Sequence, residues 1–144
     1  MVVTLSDEAR QFIARFEDES GATARDCLVL DGDDEEERLV FLVKADDMGM
    51  AIGSGGETVR QVEEALGRPV TLVEDADTPE AFVANALAPA AVYNVTISEN
   101  DDTVAYVEVD SADTGIAIGE GGRNIAVAKQ LAERHHGIDD IQLT

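Results

Sequence analysis

Shifted by 66 residues against itself, the chain aligns Asp47-Met48-Gly49-Met50-Ala51-Ile52-Gly53-Ser54-Gly55-Gly56 with Asp113-Thr114-Gly115-Ile116-Ala117-Ile118-Gly119-Glu120-Gly121-Gly122, and seven of the ten positions are identical. A repeat of this kind is one supersecondary unit copied, so both copies must fold on the same plan. The register continues past the glycines. Val59, Val62 and Leu66 follow in the first copy and Ile125, Ala128 and Ala132 in the second; spacings of three and four mark the apolar stripe of a helix. Gly67 and Gly137 stand where helix C-terminal glycines belong, and Pro69 to Val73 and Ile138 to Leu143 then read as strands.

Upstream, Arg38 to Lys44 and Val104 to Asp110 read as strands, each preceded by another, Cys27 to Leu30 and Ala91 to Ile97. The connections are the acidic Asp31 to Glu37 and the stretch Ser98 to Asp102. A helix opens each copy. Ala9, Phe12, Ile13 and Phe16 share one face behind a Ser6 cap, and Thr78 followed by Pro79 caps a helix carrying Phe82, Val83 and Leu87. Each copy therefore reads helix, strand, strand, short helix, glycine turn, long helix, strand, an α+β plan. The expected division is 1–75 and 76–144, with a short link at Val73 to Thr78.

Composition limits what such a pair can be. The chain has 144 residues, 31 acidic against 10 basic side chains and a net charge of −21, yet 44% of it is hydrophobic. A disordered acidic tail would be poorer in apolar residues. The acids are spread throughout, and Lys44 and Lys129 are the only lysines. This is the pattern of a halophilic protein: at about 1 M salt the Debye length is near 3 Å, so distant like charges are screened and an anionic ligand is not vetoed. Cys27 has no second cysteine to pair with and lies in an apolar segment, which reads as core packing. Met1 to Arg10 lacks the layout of a signal peptide, and no apolar run approaches a membrane span, so a cytoplasmic protein with no membrane partner is expected.

Gly53-Ser54-Gly55-Gly56 and Gly119-Glu120-Gly121-Gly122 each place three glycines in four residues at the start of a long helix. Positive φ is accessible there, another backbone can approach closely, and the helix end offers N–H donors and a positive dipole. Phosphate is the favoured ligand chemistry. A P-loop would need a lysine that neither turn has, and a dinucleotide fingerprint would need glycine where Thr58 and Asn124 stand. A sugar–phosphate backbone lying along the turn, with bases in an apolar groove beside it, fits what is left. The plain alternative is a pair of tight helix–helix corners. Ile52 and Ile118 serve either reading, as base contacts or as core, whereas Arg60, Lys129 and Arg134 read as solvated helix residues.

Nothing points to catalysis, a cofactor or a metal. The acidic segment Asp31 to Glu37 has glycine at its second position, where a calcium loop needs it at the sixth. It reads as a solvated hairpin. Adjacent His135 and His136 diverge by about 100° on a helix and have no partner at zinc-site spacing. No acid–base pair stands out among the carboxylates.

The Ile-Gly-x-Gly-Gly segment between two helices, repeated in two tandem units, resembles the KH domain, and the helix, strand, strand, helix, helix, strand order is similar to its type II form. Asn85-Ala86-Leu87-Ala88-Pro89-Ala90, together with Gly115 to Asn124, resembles the tandem KH region of the NusA family of transcription factors. The likeness spans essentially the whole chain. Having no further domain, the chain is similar to the short archaeal NusA form, which lacks the polymerase-binding and oligonucleotide-fold domains of the bacterial one. The resemblance implies two type II KH domains holding single-stranded RNA, nascent transcript, with roughly four nucleotides per unit, in termination or antitermination. Carried over by position, Gly53, Ser54, Gly55 and Gly56, and Gly119, Glu120, Gly121 and Gly122, would face phosphate. Ile52 and Ile118 would line the base groove, and Arg123 and Asn124 would reach phosphate or a base edge, with Gln130 and Arg134 further along the face of Arg123. Glu120 departs from the basic residue common in KH loops and would repel phosphate at low salt. The competing expectation is a protein-interaction module docking on RNA polymerase or a ribosomal component.

Overall fold

The computed structural model describes residues 3–30 and 37–144. The acidic connection expected at 31–37 therefore falls, apart from Glu37, outside the described residues. Twelve elements follow one another: α1 (Asp7–Ser20), β1 (Ala24–Leu30), β2 (Arg38–Val43), α2 (Met48–Ile52), α3 (Glu57–Leu66), β3 (Val70–Glu74), α4 (Pro79–Ala86), β4 (Val92–Glu99), β5 (Thr103–Val109), α5 (Thr114–Ile118), α6 (Arg123–His136) and β6 (Asp140–Leu143). They divide into two compact units, Thr4–Asp75 and Ala76–Thr144. Each has the expected helix, strand, strand, helix, helix, strand order. The first strand of the first unit begins at Ala24, three residues before the expected Cys27, because Ala24 pairs with Val43 across a bulge at Arg25 that apolar patterning does not reveal.

Each unit carries a three-stranded sheet with its second strand in the centre. β1 and β4 run antiparallel to β2 and β5, and β3 and β6 run parallel to them. A parallel neighbour requires a crossover, and the two helices flanking the glycine turn form it. The turns thus sit midway along the connection between two hydrogen-bonded strands.

In the first unit the helices cover one face of the sheet. Phe16 of α1 stacks on Phe41 of β2, with centroids 4.4 Å apart and planes 18° apart. Around them pack Ala9, Phe12, Leu39, Val43, Val62 and Leu66, all buried. Burying a side chain of Leu, Val or Phe size contributes roughly 1.5–3 kcal/mol. The guanidinium of Arg68 lies 4.7 Å from the Phe12 centroid and pairs with Glu37 at 2.9 Å, closing the edge of this core. In the second unit Phe82 of α4 and Ala128, Leu131 and Ala132 of α6 are buried, as are Val107, Ile138 and Ile141. The Phe82 ring lies 4.6 Å from that of His136. α6 has 14 residues against 10 in α3, an extra turn that places Arg134 near its C-terminus, where a cation complements the dipole.

The caps form as their sequences dictate. Ser6 accepts the N–H of Ala9 at 3.1 Å, and Thr78 that of Ala81 at 3.2 Å, with Pro79 at the first position of α4. Gly21, Gly67 and Gly137 close α1, α3 and α6 in the left-handed conformation.

Candidate functional site

The two glycine turns have the same backbone. Gly53 sits at φ 77°, ψ 172° and Gly119 at φ 78°, ψ 169°, a region closed to residues with a Cβ. Gly55 and Gly121 follow near φ 61–63°, ψ 18–21°, and Gly56 and Gly122 near φ 77–79°, in left-handed territory. A Cβ on Gly53 would stand 2.7 Å from the Thr58 nitrogen, and one on Gly119 would stand 2.8 Å from that of Asn124. The first glycine of each turn is therefore demanded by the corner itself. Around Gly55 and Gly121 nothing lies within 4 Å of an added Cβ. Their glycines stand against open space.

Exposure divides the turns in the same way. Gly53 and Gly56 are half-buried while Ser54 and Gly55 are exposed, and Gly119 and Gly122 flank the exposed pair Glu120 and Gly121. Neither α3 nor α6 has a side-chain N-cap, in contrast to α1 and α4. Some of the expected N–H donors are used inside the turn. The Gly56 N–H bonds the Gly53 carbonyl at 3.1 Å and the Glu57 N–H bonds that of Ser54; Gly122 bonds Gly119 at 3.1 Å and Arg123 bonds Glu120. These bonds form a 3-10 bend at the head of each helix.

Beside each bend the short helix turns apolar side chains outward. Met50 and Ile52 are 53% and 39% exposed, and Ile116 and Ile118 are 44% and 40%. Only Ala51 and Ala117 between them are buried. Ile52 and Ile118 are thus surface residues, and each has a still more exposed apolar neighbour that patterning alone does not single out. The signal was present, since Met50 and Ile116 occupy the same place in the repeat.

Arg123, the first residue of α6, is exposed. The Asn124 amide donates to the Ile116 carbonyl at 2.8 Å and ties the long helix to the short one. Gln130 is exposed and Arg134 half-buried on the same helix. In the first unit Arg60, expected to be a solvated helix residue, bends back so that its Nη1 donates to the Gly55 carbonyl at 2.9 Å. Two carboxylates also belong to this architecture. Asp47 and Asp113, identical in the repeat, lie just before the short helices and accept main-chain N–H groups from Thr23 and Ala91.

Among the described residues no cluster of His, Cys, Asp or Glu could hold a metal ion. Burial, reinforced by the neighbouring Asp26 carboxylate, pushes the Cys27 thiol up to about 12. Such a thiol stays protonated at neutral pH and is a poor nucleophile. No helix among the described residues is long and apolar enough to cross a membrane.

A mixed three-stranded sheet whose parallel crossover carries a G-x-x-G turn between two helices defines the KH class, here present twice. Residues 6–77 match the family model for the KH domain, and residues 79–143 match that for the NusA-like second KH domain. The chain is 61% identical over the full length of both chains to a probable transcription termination protein NusA of Halobacterium salinarum. It is 60% identical to one of Halococcus morrhuae over 99% of each chain. A crystal structure of APE1850 superposes with a TM-score of 0.81 at 30% identity, covering 97% of this chain and all of that one. The chain belongs to the NusA family, in its archaeal, halophilic branch.

Proposed function

We propose that the chain binds single-stranded RNA, nascent transcript, through its two glycine turns and acts as a transcription termination or antitermination factor of the NusA type. Its domains are then a first KH unit at 1–75 and a second at 76–144. The observation that carries the reading is the duplicated geometry: an exposed, uncapped bend flanked by an exposed apolar pair, built twice with backbone angles that agree within a few degrees. A corner needed only for folding requires the first glycine for space and favours glycine at the later two for their positive φ. It does not require the outer glycine to face open space, nor isoleucine and methionine to face water beside it.

In this reading phosphates lie against Gly53, Ser54, Gly55 and Gly56, and against Gly119, Glu120, Gly121 and Gly122. Ile52 and Ile118 line the apolar groove that takes the bases, and Arg123 and Asn124 reach phosphate or a base edge at the head of α6. Backbone donors and apolar packing dominate, because counterion release drives binding weakly in concentrated salt. The names of the relatives, probable transcription termination proteins, support a role in transcription, and RNA polymerase is the further partner of this reading.

A second reading, docking on RNA polymerase or a ribosomal component with RNA binding weakened, draws on the exposed Glu120 in the second turn. Titration of short single-stranded RNAs in molar KCl tests both, with the Gly55→Asp/Gly121→Asp double variant alongside. Aspartate tolerates left-handed backbone, so the variant should fold. RNA retained by the wild type and lost by the variant supports the proposal. Equal retention by both removes the turns as the site, and retention of polymerase without RNA favours the second reading.

A further inference from the structure

We infer that Arg60 is the phosphate-contacting cation of the first glycine turn, an inference that rests on the RNA-binding reading of that turn. The turn itself has no charge, since its two exposed residues are Ser54 and Gly55. Helical side chains lean toward the N-terminus, so a long residue at the fourth position of α3 covers the bend that precedes the helix. Arg60 does so: its Nη1 donates to the Gly55 carbonyl at 2.9 Å and lies 3.3 Å from where a Cβ on Gly56 would stand. One carbonyl uses one of the five donors of a guanidinium, whose planar fork suits the oxygens of a phosphate.

The second unit supports the assignment by meeting the same need differently. The position equivalent to Arg60 is Ala126, and the position equivalent to Glu57 is Arg123. Each long helix thus brings one arginine within its first turn, at position four in α3 and position one in α6. Positions three apart lie on one helix face, about 4.5 Å apart along the axis. In a protein of charge −21 bathed in salt, a distant cation attracts nothing, and only direct contact contributes. An arginine already braced on Gly55 gives up less side-chain freedom when it makes that contact.

The test is a titration of the full chain with short single-stranded RNA across a range of KCl concentrations, using Arg60→Ala, Arg60→Lys and, as a control of equal charge change, Arg10→Ala on the exposed side of α1. Arg60→Ala should weaken binding about tenfold, as loss of a charge-assisted contact does, and should lower the slope of log affinity against log salt by about 0.7, one phosphate contact on a single strand. Arg60→Lys should keep the slope and recover part of the affinity. Arg10→Ala should match the wild type. An unchanged slope in Arg60→Ala would reduce the residue to a brace for Gly55, and an equal loss in Arg10→Ala would reduce it to general charge; either overturns the inference. A wild type that binds no RNA at any salt overturns the RNA-binding reading, and the inference with it.

Discussion

The Asp113 carboxylate accepts the backbone N–H of Ala91 at 2.8 Å, just as that of Asp47 accepts the N–H of Thr23 at 2.9 Å. Ala91 and Thr23 are also held from their other side, where the Ala91 carbonyl accepts the N–H of Asp110 and the Thr23 carbonyl that of Lys44, both at 2.9 Å. The segment that opens the first strand and the segment that opens the short helix are thereby locked together, and the short helix positions the glycine turn. Asp113→Ala should cost about 1.5 kcal/mol, the lower end for a hydrogen bond to a charged acceptor because the site is partly solvated. Asp113→Asn, which keeps an acceptor oxygen, should cost less. Urea unfolding of the two variants decides it, and equal losses would show that the tether is not what matters.

The glycines of each turn should separate by cost. Gly53→Ala and Gly119→Ala force a Cβ into a backbone region closed to it and onto the following helix, so each should lose at least roughly 3 kcal/mol. Gly55→Ala and Gly121→Ala meet open space and should lose only about 1–2 kcal/mol for left-handed backbone. Thermal unfolding of the four single variants checks the ranking. Parity between the two classes would refute the steric account.

Cys27 gives stability a signature at alkaline pH. Its thiol ionises near 9.0 when unfolded but is held up to about 12 in the fold, by burial first and the Asp26 carboxylate second. A group whose pKa is raised on folding adds stability below its unfolded value and loses it as pH rises toward its folded one. The unfolding free energy of the wild type should therefore fall more steeply above pH 9.0 than that of Cys27→Ala. Urea titrations of both proteins between pH 8 and 10.5 provide the comparison, and parallel curves would contradict it.

Salt should stabilise the chain. With a net charge of −21 the compact state repels itself until counterions screen it. Raising KCl from about 0.1 M to about 2 M should lift the melting temperature by more than about 5 °C, equivalent to roughly 1 kcal/mol in a domain of this size. A melting temperature that is flat or falls with KCl would argue against the halophilic reading of the composition.

The order of elements, the caps at Ser6 and Thr78, and the glycines that end α1, α3 and α6 follow from local rules that act within a few residues, and those rules are written in the chain itself. So is the duplication, because two copies of one pattern report on each other: the glycine turns, the apolar stripes and the paired Asp47 and Asp113 all repeat at one spacing. Tertiary structure alone decided which side of each short helix faces water. A five-residue helix is too brief for a periodic pattern, so only packing reveals that Ala51 and Ala117 are buried while Met50, Ile52, Ile116 and Ile118 are exposed. It also decided what the polar side chains hold. Asn124 reaching Ile116 and Asp113 reaching Ala91 join residues that are eight and 22 positions apart. Such partners are set by how the chain folds back in space, which no pattern confined to neighbouring residues can encode.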